Sequence, residues 1–129
     1  MLARIRKSME EHEEGFTLVE LLVVVVIIGI LASIAIPTFL NQREKAWQRE
    51  SQSDLRNSAT VMETFFGDNG TYVGEVATAF KVSDDDTLTI KSQTATAYCI
   101  DVNNAKLTTA TIDYHFDSTV GKPATGACP

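Results

Sequence analysis

The feature that most constrains this chain is an apolar run from Phe16 to Leu40, whose only ionisable side chain is Glu20. As an α-helix, a run of this length covers about 37 Å at a rise of about 1.5 Å per residue, enough to cross a bilayer. A carboxylate inside such a run costs several kcal/mol unless a partner neutralises it. The sequence therefore predicts a membrane-spanning helix over residues 16–40 in which Glu20 needs a positively charged partner.

A short charged segment precedes the run. Arg4, Arg6 and Lys7 come first, an acidic block follows, and Gly15 closes the segment. A stretch this short and this charged cannot bury enough surface to fold, so residues 1–15 are interpreted as a leader that is removed. Its basic end should stay in the cytoplasm, which places the chain after the run on the outside.

An alternative is an ordinary secretory signal, which would be cut after the apolar region at Ser33-Ile34-Ala35. The position of Glu20 near the start of the run, and of Pro37 just behind the cut, disfavours it. Pro37 instead predicts a kink or local melting of the helix, or simply its exit from the membrane. Gly29 and Ser33, four residues apart, would let a second helix approach closely.

Charge and cysteine content indicate which partners and which cellular compartment suit this chain. The net charge of −6 and the pI of about 4.8 disfavour nucleic acid as a partner. The pair Cys99 and Cys128 lies in the polar half, and in a chain with an export-type segment it predicts one disulfide in an oxidising compartment. The alternative is two reduced, buried thiols.

The polar half, residues 41–129, has the pattern of a small extracytoplasmic α+β domain. A stripe at helical spacing continues to about Phe66 and should pack on a sheet, and Gly67 with Asp68-Asn69-Gly70 should end the helix. Alternating apolar residues then predict three or four antiparallel strands. The fold class is α+β: one long N-terminal helix, with a membrane-spanning half and an amphipathic half, packed on this sheet. The stripe is Trp47, Ser51, Leu55, Ala59, Met62 and Phe66, and the strand positions are Leu88, Ile90, Tyr98, Ile100, Val102, Ala110, Ile112, Tyr114 and Phe116.

Alternation along the second strand turns Cys99 away from the core face, so the tail carrying Cys128 should cross an outer or edge face of the sheet. That tail offers little to fold around. Closing a loop of about 30 residues should contribute about 3–4 kcal/mol.

No catalytic residue, cofactor or metal site is expected. His12 lies in the leader, His115 stands alone in a strand, and no serine has a base partner at a recognisable spacing. The Asp84-Asp85-Asp86 run lacks the regular ligand spacing and closing glutamate of a calcium loop, so it is interpreted as a solvated turn.

The leader ending in Gly15, the motif Phe16-Thr17-Leu18-Val19-Glu20-Leu21-Leu22, the apolar helix and Pro37 together resemble the class III signal and N-terminal helix of the type IV pilin family. The resemblance covers about residues 1–45. It implies that a prepilin peptidase cuts between Gly15 and Phe16 and methylates the new amine of Phe16. It also implies that the retained helix anchors the subunit in the cytoplasmic membrane and then packs with its copies into an extracellular filament. The further partners implied are an inner-membrane assembly platform and a cytoplasmic assembly ATPase, and the roles implied are adhesion, twitching motility or DNA uptake.

Cleavage would also supply the partner that Glu20 needs, because it creates a cationic amine four residues away, on the same subunit or a neighbour. Such a pair should set subunit register more than affinity. The alternative is an isolated, protonated glutamate. Two other functions stay open: a pseudopilin of a type II secretion or competence system, and a membrane-anchored small extracytoplasmic domain.

Overall fold

The computed structural model describes residues 15–107 and 114–129, together with Leu2 and Arg4. The described elements are helix α1 (Leu18–Asn69), a 3-10 turn (Ala77–Ala79), and strands β1 (Asp86–Gln93), β2 (Tyr98–Asn104), β3 (Tyr114–Asp117) and β4 (Lys122–Thr125). The strands form one antiparallel sheet in the order β1-β2-β3-β4. The predicted α+β class, with one long helix and a small antiparallel sheet, is confirmed. His12, Ala110 and Ile112 lie outside the described residues.

The chain divides into two compact units, an N-terminal unit (residues 1–40) and a C-terminal unit (residues 41–129). In the N-terminal unit the backbone is helical from Leu18 onward and stays helical through Ser33 and Pro37. The hydroxyls of Ser33 and Thr38 donate to the carbonyls of Ile30 and Ile34 at 2.7 and 3.0 Å. A kink at Pro37 stays a prediction.

The C-terminal unit has one core, formed where the later turns of α1 pack on the sheet. The predicted helical stripe is buried at its centre, since Ser51, Leu55 and Met62 have no exposed surface, but Trp47 and Phe66 at its ends are only half-buried. Residues from β1, β2 and β3 cover the stripe, as the alternation predicts. The buried apolar cluster is Leu55, Ala59, Met62, Tyr72, Phe80, Leu88, Tyr98, Ile100, Val102, Tyr114 and Phe116.

Helix α1 ends three residues later than the expected end at Phe66. Gly67 remains helical, and the stop is Gly70, which adopts a φ of +68° and donates its amide to the carbonyl of Phe66 at 2.7 Å. Asn69 caps the end as well, with its side-chain amide donating to the carbonyl of Phe65. Only the glycine that must take a left-handed conformation ends the helix.

The C-terminal tail is more ordered than expected, because it contributes β4. A turn at Gly121, with a φ of +74°, returns the chain so that its amide donates to the carbonyl of Asp117 at 2.9 Å. Thr119 donates its hydroxyl and amide to the Asp117 carboxylate, and these bonds lower the pKa of that carboxyl. Pro123 pairs opposite Phe116 on the last strand of the sheet, a position where proline needs no amide hydrogen.

Candidate processing and assembly site

The Gly15–Phe16 peptide bond lies in a short non-helical segment, residues 15–17, directly before α1. Phe16 is 93% exposed. A Cβ added at Gly15 would meet no described atom within 4 Å, and Gly15 is not among the glycines with positive φ. Within the described part of the chain, packing and backbone conformation therefore give no reason for glycine at this position.

Glu20 has a partner that the sequence interpretation missed. The amide and the hydroxyl of Thr17 both donate to Oε2 of Glu20, each at 2.8 Å, and the amide of Glu20 donates to the Thr17 hydroxyl at 3.2 Å. This reciprocal arrangement is a capping box, in which a Thr at the N-cap and a Glu three residues later satisfy the free amides at a helix start. The Thr-x-x-Glu spacing in the sequence was the signal for it.

The capping box gives Glu20 hydrogen-bond donors but no positively charged partner. Neutral donors on Thr17 hold the carboxylate in place, but they leave its charge uncompensated. They also keep the carboxylate beside the peptide nitrogen of Thr17, one residue from the nitrogen of Phe16. A cut before Phe16 would therefore create an ammonium group close to a carboxylate that is already oriented.

The helix surface that follows is almost entirely exposed apolar side chain. Every large hydrophobic residue from position 16 to position 40 is between 48 and 93% exposed. A window of 18 residues in α1 has a mean hydropathy of 3.0, which is long and apolar enough to cross a membrane. At Gly29, an added Cβ would meet no described atom within 4 Å. This surface lacks a covering within the described chain, and the opening at Gly29 would admit another helix.

The predicted disulfide joins Cys99 to Cys128, on the side of β2 that faces away from the apolar cluster. Asp101, on that same side of β2, accepts the Cys128 amide at 2.7 Å and lies 3.7 Å from the ammonium of Lys91. The two sulfur atoms and the Asp101 carboxylate come together, but sulfurs bonded to each other are not thiolate ligands for a metal. This group fastens the tail to the sheet.

His115, which the sequence analysis left without a catalytic partner, has a structural contact. Its Nδ1 lies 2.8 Å from the carbonyl of Gly126, across the β3–β4 pair, so it also holds the tail.

The expectation of a solvated turn at Asp84-Asp85-Asp86 is wrong for Asp86, which is only 5% exposed. Its Oδ1 accepts the hydroxyl of Ser51 at 2.9 Å and the side-chain amide of Asn104 at 2.5 Å. Asp54, on α1, accepts the amide of Ser83 at 2.7 Å. Burial raises the pKa of Asp86 to about 6, and the nearby charge of Asp54 adds to the rise. Strand β1 starts at Asp86 and turns its side chain inward, which the run of three aspartates obscured.

The start of the chain matches a protein-family model. The family model of the prokaryotic N-terminal methylation motif matches residues 12–36, which contain the Gly15–Phe16 bond, the capping box and the exposed apolar helix. The N-terminal region of this chain is therefore similar to proteins that carry this motif, in agreement with the resemblance to the type IV pilin family found in the sequence.

The chain is similar to a type IV pilin and to type II secretion proteins. The chain is 45% identical over 61 residues to the type IV major pilin protein PilA of Myxococcus xanthus, which covers 47% of this chain and 28% of the relative. It is 38% identical over 64 residues to the type II secretion system core protein G of Dickeya chrysanthemi, covering 50% and 42%. The corresponding protein of Vibrio cholerae is 42% identical over 60 residues, covering 46% and 41%. The matches span less than half the length of these curated relatives.

Proposed function

We propose that this chain is a structural subunit, without enzymatic activity, of a type IV pilus filament. In this proposal a prepilin peptidase cuts between Gly15 and Phe16 and methylates the amine of Phe16. The retained helix, residues 16–40, first anchors the subunit as a single membrane span with residues 41–129 outside. It then packs against copies of itself in an extracellular filament, which an inner-membrane platform and a cytoplasmic ATPase assemble for adhesion, motility or DNA uptake.

The observation that carries the proposal is the exposed apolar helix that begins at a capped start inside the methylation motif. Continuous apolar surface on this scale is not left in water by a folded protein. A lipid bilayer covers it before assembly, and neighbouring copies of the same helix cover it afterwards. Identical subunits joined by a contact that does not close on itself form an open helix, which is the symmetry of a fibre.

Glu20 has a defined role in this assembly. Its carboxylate, oriented by Thr17, pairs with the ammonium of Phe16 on the same or a neighbouring subunit. An ion pair buried among apolar helices adds little net affinity, but leaving one of its members alone is costly. The pair therefore penalises misplaced subunits and sets the register.

The test is mechanical shearing of cells that carry the intact gene, followed by mass spectrometry of the subunit recovered from sheared filaments. The expected species begins at a methylated Phe16 and is abundant in long fibres. A subunit that stays in the membrane and begins at residue 1, with no fibre, would contradict both processing and polymerisation and would support the membrane-anchored small domain.

Gly15→Val separates processing from folding. Because a Cβ at Gly15 meets no described atom within 4 Å, the variant should fold normally and accumulate uncut in the membrane, without filaments. Gly67→Val is the matched control, since Gly67 is equally open and lies far along the helix from the cut. A Gly15→Val chain that is cut and assembled like wild type would contradict cleavage at this bond.

A pseudopilin of a type II secretion system is the second candidate, because several relatives carry the name of core protein G. Both candidates share the same N-terminal processing. They differ in the outcome of a gene deletion: loss of long surface fibres with normal export of secreted enzymes supports the pilus subunit, and the reverse supports the pseudopilin.

A further inference from the structure

Two buried carboxyl groups, Asp54 and Asp86, lie at the contact between α1 and β1, where the hydroxyl of Ser51, one helical turn before Asp54, bonds Asp86. Asp54 is 7% exposed and Asp86 is 5% exposed. Neutral donors serve one oxygen of each: the amide of Ser83 bonds Oδ2 of Asp54 at 2.7 Å, while the hydroxyl of Ser51 and the side-chain amide of Asn104 bond Oδ1 of Asp86. The contact thus combines two acids with donors that carry no charge.

The second oxygen of Asp86, Oδ2, is closed to solvent and has no hydrogen-bond partner among the described residues. A buried polar atom left unpaired costs about 1–3 kcal/mol, and more if the group is charged. Ser51 and Asn104 occupy Oδ1, and among the described residues the carboxyl of Asp54 is the further polar side chain that acts on Asp86. Two carboxylates that share a buried site cannot both ionise cheaply.

We propose that Asp54 and Asp86 share a single proton, carried on Oδ2 of Asp86 and donated to the Asp54 carboxylate, as a pH-sensitive latch between helix α1 and strand β1. The proton gives the unpaired oxygen a hydrogen bond and removes one of two adjacent negative charges. Helix and sheet are then joined by a charge-assisted hydrogen bond in addition to apolar packing.

A metal ion fits the same place less well. Calcium takes six to eight oxygen ligands and magnesium keeps several of its waters. Oδ2 of Asp86 is closed to solvent, so it offers no room for hydrating water. The hydroxyl of Ser51 and the amide of Asn104 point their hydrogens at Asp86, an arrangement that suits an anion or an acid, not a cation. A proton needs no additional space.

The charged groups around the latch give the direction of the pH effect. Asp54 faces Asp86 from α1, and Asn104, from β2, does not titrate. Asp85 lies next in the chain and is paired with Lys106. Burial, with Asp54 as a further cause, raises the pKa of Asp86 to about 6 in the folded state, from 3.8. A raised pKa in the folded state means that the stability due to the latch is present at acid pH and is lost as the pH rises through about 6.

The experiment uses the full-length chain in detergent micelles, with 13C-labelled aspartate, from about pH 4 to about pH 8. Thermal unfolding of the C-terminal unit is followed by circular dichroism. One aspartate carboxyl should titrate near pH 6, and Tm should fall across that titration by at least about 5 °C. If every aspartate titrates with an ordinary pKa and Tm does not fall, the latch does not exist.

Asp86→Asn provides the decisive variant, because its amide can donate permanently to Asp54 in place of the proton. The titration near pH 6 should disappear, and Tm above that pH should exceed the wild-type value. Asp84→Asn is the matched control: Asp84 is an exposed neighbour in the same turn, so its loss removes one charge and should keep the pH dependence.

If Asp86→Asn does not fold, Asp54→Asn tests the same pair from the helix side, since its amide can donate to Asp86. Retention of the wild-type pH dependence by a folded Asp54 or Asp86 variant would overturn the proposal.

Calcium and magnesium chloride, each added at neutral pH and compared with a chelator, distinguish a proton from a cation. Neither salt should change the Tm of wild type relative to Asp86→Asn. A rise in Tm that occurs in wild type and is absent in Asp86→Asn would show a cation site and would overturn the shared proton.

Discussion

Thr17 and Glu20 are joined by three hydrogen bonds at the first turn of α1. Two Thr17 donors bond Oε2 of Glu20 at 2.8 Å, and the amide of Glu20 bonds the Thr17 hydroxyl at 3.2 Å. The Glu20 oxygen caps the helix, and in the proposed filament its charge has a second role, as the partner of an amine on the same or a neighbouring subunit. Substitutions at these two positions separate the roles.

The first prediction concerns the charge of Glu20. Glu20→Gln keeps an acceptor for the capping box but loses the charge, whereas Glu20→Ala loses both. Because the proposed register depends on the charge, both variants should be processed normally and should lose sheared filaments, by about tenfold or more, which corresponds to about 1.4 kcal/mol. The measurement is an immunoblot of sheared and cell-bound subunit.

Thr17→Ala is the control for capping alone. It should weaken the helix start by about 1 kcal/mol while it leaves the carboxylate charged, so most filament assembly should persist. If Glu20→Gln assembles as well as wild type and Thr17→Ala does not, the cap is the important feature and the register hypothesis is wrong.

The second prediction concerns the opening at Gly29. Gly29→Leu meets no described atom of its own chain, so the subunit should fold, insert and be processed. In a filament, the added side chain should push a neighbouring helix away and strongly reduce fibre yield. Ile27→Leu puts the same residue on nearly the opposite side of the helix and nearly conserves volume, so its fibre yield should stay close to that of wild type. Equal yields from the two variants would show that no helix packs at Gly29.

Periodicity predicted the central architecture because burial on a helix or strand follows from spacing alone. Leu55, Ala59 and Met62 face the sheet as the helical period requires, and Tyr98 and Ile100 belong to the core as strand alternation requires. The pattern also predicted the Cys99–Cys128 disulfide, since the chain has only two cysteines.

Features that depend on individual contacts, rather than on residue spacing, were harder to predict. The Thr17–Glu20 capping box was visible as Thr-x-x-Glu, but the apolar residues around Glu20 favoured an interpretation based on its charge. Strand β4 contains Pro123, which usually argues against a strand, and it exists because β3 offers a free edge to it. The burial of Asp86 depends on partners 35 and 18 residues away, Ser51 and Asn104, so no local pattern announces it.

The third prediction concerns the C-terminal tail. The Cys99–Cys128 disulfide and the hydrogen bond from the Cys128 amide to Asp101 both hold it at Cys128. Removing the disulfide by Cys99→Ser with Cys128→Ser should cost about 3 kcal/mol of unfolding free energy. Asp101→Ala removes the acceptor of the Cys128 amide, and without the disulfide it should cost more than it does with the disulfide, because the disulfide no longer holds Cys128 against the sheet. Denaturant unfolding of the four proteins, followed by the fluorescence of Trp47, gives the coupling.

Asp101→Asn is the matched control for the tail, since its side-chain oxygen still accepts a hydrogen bond while its charge is gone. It should resemble the parent with and without the disulfide. Strictly additive effects of Asp101→Ala and disulfide removal on the unfolding free energy would show that the hydrogen bond and the disulfide act independently, and would contradict this prediction.

The fourth prediction concerns two tyrosines that share one carboxylate. The hydroxyl of Tyr72 lies 3.0 Å from each oxygen of Glu63, and the hydroxyl of Tyr98 lies 3.5 Å from one of them. Burial, and then the bond and charge of Glu63, raises the pKa of Tyr72, while burial and the charge of Glu63 raise the pKa of Tyr98. Since the folded chain holds these protons more tightly than the unfolded chain, the stability that the two tyrosines contribute should be constant below about pH 10 and should fall as the pH rises further. Phenolate absorbance should show fewer ionised tyrosines in the folded chain than in urea at the same alkaline pH.

Glu63→Gln tests the cause of that pKa rise. Glutamine can still accept a hydrogen bond from Tyr72 but carries no charge, so the pKa of Tyr72 should fall toward 10.0, the ordinary tyrosine value. The pKa of Tyr98 should fall as well, and burial, the largest cause at both tyrosines, should keep part of each rise. Glu75→Gln removes the same charge from the connecting loop, where the carboxylate bonds the amide of Val76, and it should leave both tyrosines unchanged. Equal shifts from the two variants would point to net charge rather than to the contact with Glu63.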